Sequence, residues 1–249
     1  MKIKYLLTIF LIVIAIATAG YLSEKPKENE PVEITVSAAI SLQDAFRDMG
    51  AEFQKKHPEV KIDFNFGASG VLQKQIEQGA SVDIFASASQ NEMNALGEKG
   101  LIINSTRINF TRNKLVIIAP SGLTIEDLKN LDKIATGNPK TVPAGLYART
   151  FLENAGIYET LKPKLIFAEN VRQVLDYVKR GEVDAGFVYF SDTLGNNLSI
   201  SPINDSLYPP IVYPMAVIKD SQQPDISWQF IEYIRSDEGQ TILRKNGFG

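Results

Sequence analysis

Hydrophobic and polar positions along this chain follow two alternating rhythms. Residues 33–39, EITVSAA, form a short apolar-rich run that predicts a strand. Leu42, Ala45, Phe46, Met49 and Phe53 then recur at helical spacing. Ser41 stands at the N-cap position of that helix, with Asp44 three residues on, close to a capping box. The sequence repeats the construction at 60–66, VKIDFNF, whose alternation predicts a second strand. The turn Gly67-Ala68-Ser69-Gly70 follows, then a helix with Val71, Leu72 and Ile76 expected inward. Residues 82–88, VDIFASA, are nearly continuous in apolar character, as in a parallel strand covered on both faces, and 91–99 read as helix.

The alternation resumes after 114–120, KLVIIAP, a strong strand. A short helix is expected at 125–131. The stretch 137–152, GNPKTVPAGLYARTFL, reads as a turn running straight into an amphipathic helix, with Pro143 suited to its first turn. Segments 158–161 and 164–167 lead to 169–181, a helix with Val171, Val174, Leu175 and Val178 on one face. Asn170 fits its N-cap, Gln173 the capping-box position and Gly181 the C′ stop. Residues 183–190, VDAGFVYF, predict a buried strand that delivers Tyr189 at its end. Residues 195–202 read as loop. Residues 210–219 read as a strand in which Pro214 implies an edge, a bulge or a bend. Two amphipathic helices, 226–235 and 236–244, close the chain, with Trp228 expected to pack.

Strand–helix alternation of this kind predicts an α/β fold with βαβ units. Two such series, with an apolar strand between them and another near the end, imply a chain that leaves one lobe and later returns. The expected division is 32–113 plus 214–249 in the first lobe and 114–213 in the second, joined by two hinge strands. Ligands in open α/β sheets bind beyond the carboxyl ends of strands, and in two lobes those ends can face each other across a cleft.

Composition narrows the chemistry. Hydrophobic residues at 44% and charged residues at 22% are ordinary for a globular chain, and a net charge of −3 gives no basic face for nucleic acid. The absence of cysteine excludes thiol catalysis, disulfides and cysteine-ligated metals. The single histidine, His57, precedes Pro58 in a connection and is a poor prospect for a buried catalytic or metal role. Lys2 and Lys4 precede the apolar run 5–19, which ends in the small-x-small triplet Ala17-Thr18-Ala19. Residues 1–22 therefore read as an export signal or an uncleaved anchor, and 23–31 as a polar linker. The protein is expected to work outside the cytoplasmic membrane, periplasmic or at the cell surface.

Helix starts at Ser41, Ser69, Ala144 and Val171 expose unpaired N–H groups and a partial positive charge, and Tyr189 adds a hydroxyl. Converging on one cleft, they would form a site of neutral donors suited to a fully deprotonated oxyanion. A protonated anion such as hydrogen phosphate would want an acceptor, and a carboxylate placed there would repel a dianion. Two other classes compete. An exported hydrolase would use Ser41 or Ser69 as nucleophile and would need His57 as base. A membrane-tethered sensor would keep the N-terminal segment as its anchor.

The motifs AAISL, FGASGVLQKQIEQGASVDIFASA, GNPKTVPAGLYA and ENVRQVLDYVKRGEVDAGFVYFSD resemble, in order and spacing, the periplasmic molybdate-binding proteins of ABC transporters. The resemblance covers 33–248. It implies a two-lobed periplasmic-binding-protein fold, no cofactor, no catalysis, and a monomer that hands molybdate or tungstate to an ABC permease. The molybdenum would be present only within the oxyanion. It also implies ligand contacts at Ser41, Ser69, Ala144, Val171 and Tyr189, with Ala39 and Gly70 as weaker lining positions. Gly70 stands where some members carry another hydroxyl, and the lipid-attachment cysteine of some members is missing. Sulfate or another small oxyanion in the same fold is the runner-up ligand.

Overall fold

The computed structural model describes residues 31–249, and Val32–Gly249 form one compact unit. The expected export segment and all of the linker except Pro31 lie outside the described residues. Among the described residues no helix is long and apolar enough to cross a membrane.

Two five-stranded sheets carry the fold. The first is made of β1 (Val32–Ala39), β2 (Val60–Gly67), β3 (Ile84–Ala86), β4 (Ile108–Asn113) and β10 (Ile211–Val217), in the order β2-β1-β3-β10-β4. The second is made of β5 (Leu115–Ala119), β6 (Ile134–Gly137), β7 (Leu165–Ala168), β8 (Ala185–Tyr189) and β9 (Ser199–Pro202), in the order β7-β6-β8-β5-β9. In each sheet four strands run the same way and a single strand, β10 in the first sheet and β5 in the second, runs antiparallel to its neighbours. The chain passes from the first sheet to the second between Asn113 and Leu115 and returns before Ile211. The Leu115 N–H donates to Tyr208 Oη at 3.2 Å, which ties the two crossings together.

The helices are α1 (Gln43–Lys56), α2 (Ser69–Glu77), α3 (Gln90–Glu98), α4 (Pro143–Asn154), α5 (Tyr158–Leu161), α6 (Val171–Lys179), α7 (Pro224–Arg235) and α8 (Asp237–Lys245). The predicted inward faces of α1 and α6 are buried as expected. Helix α6 shows its cap and its stop: the Asn170 side chain accepts from Gln173 N, and Gly181 adopts φ +68°. The expected capping box does not close, because the Gln173 side chain accepts from Glu169 N instead of Asn170 N. In the first sheet Phe46, Phe53, Phe64, Phe110 and Phe230 pack ring on ring beneath the strands.

Several expectations are corrected. Strand β4, INFTRN, was not legible, because it is short and half polar and lacks a clean period. Strand β9 lies in a stretch read as loop. The short helix expected at 125–131 is a 3-10 turn, Glu126–Asn130. Val71 is exposed, and Gln73 takes the inward place beside Leu72 and Ile76. Pro214 is met as expected by a bulge, between Tyr213 and Pro214, on a strand paired on both sides. Trp228 is partly buried against the main core, as expected.

Candidate functional site

Strand register brings the candidates together. Ala39 pairs with Gly67 at the parallel ends of β1 and β2, so Ser41 and Ser69, each two residues further on, emerge side by side. In the second sheet Gly137 pairs with Ala168, so the helices that follow, α4 and α6, start at the same edge. Strand β8 runs parallel to β6 and ends there at Tyr189. The two edges face each other across a small cavity of about 10 Å³. Ala39, Ser41 and Ser69 line it from the first sheet, and Ala144, Val171 and Tyr189 from the second.

No charged side chain lines this cavity. Among its polar groups are three hydroxyls and backbone N–H groups at helix starts. Ala144 and Val171 occupy the first turns of α4 and α6, where an N–H has no partner within the helix, and neither is bonded elsewhere among the described residues. The Tyr189 hydroxyl is fully buried and unpartnered. Burial, and then the neighbouring Tyr213, Tyr147 and acidic groups, hold its pKa well above the ordinary phenol value, so it stays a donor. Ser69 Oγ accepts the N–H of Ala88 at 3.0 Å, which leaves its own proton for the cavity.

Two candidates act differently from their expected roles. Ser41 does not cap α1. It lies in a 3-10 turn, Ile40–Leu42, the helix begins at Gln43, and its Oγ is 3.0 Å from Tyr213 Oη. Gly70 does not line the cavity. Its N–H donates to Thr141 O of the other half at 3.0 Å, and a Cβ on Gly70 would lie 2.7 Å from that oxygen. Gly70 therefore serves the close approach of the two halves.

A second contact closes the rim. Arg172, next to Val171, donates from Nη2 to Asp44 Oδ2 of the first half at 2.6 Å. Its Nε lies 3.1 Å from Asp192 Oδ1, off the hydrogen-bond axis. Asp192 is 1% exposed, and its other oxygen accepts from Tyr189 N at 3.2 Å. Burial pushes its pKa up to about 6, with Arg172 and the Tyr189 N–H opposing. The folded chain therefore holds this proton more tightly than the unfolded chain. The stability it contributes is complete below pH 4 and is lost as pH rises through 6, on the order of 2–3 kcal/mol. Asp192→Asn removes that loss. Urea denaturation of variant and wild type should show the gap moving in the variant's favour between pH 4 and 7.

His57 lies at the far end of α1 from Ser41, about 20 Å away along the helix, stacked on Phe53. Neither cavity serine has a histidine base. Among the described residues no three His, Cys, Asp or Glu side chains gather as metal ligands.

Comparison with known proteins bears on the same region. The family of bacterial extracellular solute-binding proteins matches residues 34–249. The molybdate-binding protein ModA of Escherichia coli is 34% identical over 229 residues, covering 87% of this chain and 88% of its own. A substrate-binding domain assigned to a molybdenum ABC transporter of Clostridium difficile is 41% identical, covers 87% of this chain and 98% of that one, and aligns with a TM-score of 0.69. The periplasmic molybdate-binding protein of Azotobacter vinelandii, 21% identical, shares the fold with a TM-score of 0.80 over 87% of this chain and 98% of its own.

Proposed function

Because the chain belongs to the bacterial extracellular solute-binding proteins, in their molybdate-binding group, we propose that it captures molybdate or tungstate outside the membrane and presents it to an ABC permease. One observation carries the reading: a cavity walled by neutral donors from both halves of the chain, with no charged side chain in its lining. A tetrahedral dianion is all acceptor. Ser41, Ser69 and Tyr189 offer it hydroxyl protons, and Ala144 and Val171 offer N–H groups backed by two helix dipoles. These dipoles replace the water the anion loses without bringing in a desolvated counter-charge.

Release requires the halves to separate at the two crossing segments. The Gly70–Thr141 and Arg172–Asp44 contacts are the ones that break first, since they join the halves at the rim. The closed arrangement joins surfaces from both halves, and that composite surface is what the permease would read. The site binds without catalysing, for want of a base beside either serine, and uses no cofactor. Both halves of the site come from one chain, so a monomer is sufficient to bind the anion.

A thermal-shift series with molybdate, tungstate, sulfate and phosphate tests this. Ligand at a hundred times its Kd adds ~2.7 kcal/mol to stability. For a chain of this size that raises Tm by about 5–11 °C. Molybdate and tungstate should both give that shift, since they are tetrahedral dianions of nearly equal size. A shift with sulfate alone would transfer the assignment to the runner-up, and no shift with any of the four would overturn the receptor reading.

A further inference from the structure

Behind Ser41 lies a buried chain of hydrogen bonds that reaches to the crossing point between the two sheets. Asn113 is the last residue of β4, and its Oδ1 accepts the N–H of Lys114 at 2.9 Å and of Ser191 at 3.5 Å. Two backbone donors at that atom fix the amide orientation, so its NH₂ must face the other way. There it donates to Ser191 Oγ at 2.9 Å and to Tyr213 Oη at 3.3 Å. Tyr213 is wholly buried, on β10, and its remaining partner is Ser41 Oγ at 3.0 Å. If Ser41 donated to Tyr213, the phenol proton would have no acceptor among the described residues. A stranded buried donor of that kind costs about 1–3 kcal/mol. The arrangement that satisfies every group runs one way: Asn113 to Tyr213, Tyr213 to Ser41, Ser41 into the cavity.

We infer that Tyr213, oriented by Asn113, is a specificity-determining positioning residue that locks the Ser41 hydroxyl as a donor and so makes the cavity reject tetrahedral oxyanions that still carry a proton. The inference rests on the oxyanion-receptor reading above. Ser69 is locked in the same sense by the Ala88 N–H, and Tyr189 has nowhere else to send its proton. A hydrogen phosphate or hydrogen arsenate ion must place one O–H, and the lock has turned the Ser41 and Ser69 protons into the cavity and taken one lone pair of each oxygen. That ion meets its proton with inward-facing protons and exchanges a donated hydrogen bond for a poorer accepted one, the kind of mismatch from which polar sites draw discrimination. Burial also holds the Tyr213 pKa far above the ordinary phenol range, so the relay keeps its proton at every physiological pH.

The test is titration calorimetry at pH 8 with sodium molybdate and with sodium phosphate, on wild type, Tyr213→Phe and Asn113→Asp. Tyr213→Phe frees Ser41 to rotate. Asn113→Asp replaces the donor facing Tyr213 with an acceptor, which turns the relay round. In both variants the ratio of molybdate to phosphate affinity should fall at least tenfold, whatever happens to the molybdate affinity itself. Loss of packing, or the added charge in Asn113→Asp, weakens both anions together and leaves the ratio in place. A ratio unchanged in the variant that folds, judged by circular dichroism, overturns the inference while wild-type molybdate binding keeps the receptor reading. Wild type that binds neither molybdate nor tungstate overturns both.

Discussion

Gly145→Ala is expected to lower Tm by about 6–12 °C and to abolish the stabilisation by molybdate. A Cβ at Gly145 would lie 1.9 Å from the carbonyl oxygen of Gly137 and 2.4 Å from its carbon. Both partners are backbone, one in the first turn of α4 and the other at the end of β6, so no side chain can rotate away. Overpacking in a core typically costs 1–3 kcal/mol, and a backbone-on-backbone overlap belongs at the top of that range or above. Relief comes only from moving the start of α4, which carries the Ala144 N–H. Stability and ligand response should therefore fall together, measured by a thermal melt with and without molybdate. A variant with wild-type Tm and a full molybdate shift would show that the helix start is not held by this contact. The 137–152 stretch reads as small residues that leave the backbone open, and in the fold Gly145 faces Gly137 instead of the cavity.

Val171→Pro separates binding from folding. Asn170 sits at φ −159°, ψ 170°, an extended conformation that tolerates a following proline, and the first position of a helix accepts proline readily. The substitution deletes one N–H that the chain itself does not use. A hydrogen bond to a charged ligand contributes ~1.5–3 kcal/mol, so Kd should rise by about 10–150-fold. Unliganded stability should change by no more than about 1 kcal/mol, the share of the side-chain contacts Val171 loses. Val171→Ala, which keeps the N–H and loses more side chain, is the control and should bind nearly as wild type. Calorimetric titration with molybdate decides it: equal affinity in proline and alanine variants would remove Val171 N–H from the site.

The residues that line the cavity were legible because each sits at a junction that local chemistry announces. A strand ends, a small-residue turn follows, and a helix begins. That pattern identified Ser69, Ala144 and Val171 at their helix starts, and Tyr189 at the end of its strand. It misled at Ser41, where an apparent capping hydroxyl sits one turn ahead of the helix and is drawn to Tyr213, 172 positions away. It misled at Gly70, whose smallness answers to Thr141 of the other half. Nothing local marks Asp44 and Arg172 as partners, 128 positions apart, nor shows that the polar strand β4 completes the first sheet.

By itself, then, the sequence determined the alternating architecture, the helix starts that carry free N–H groups and the uncharged character of the donors. These follow from periodicity and turn stereochemistry, which act over a few residues. Tertiary structure alone decided which way each hydroxyl points, which glycine serves packing, and which charges clasp the rim. Those outcomes depend on acceptors and backbone atoms brought close by parallel strand register and by the two passages between sheets. A hydroxyl proton turns toward whatever acceptor is within about 3 Å, and no local pattern records what a chain will place there from far along its length.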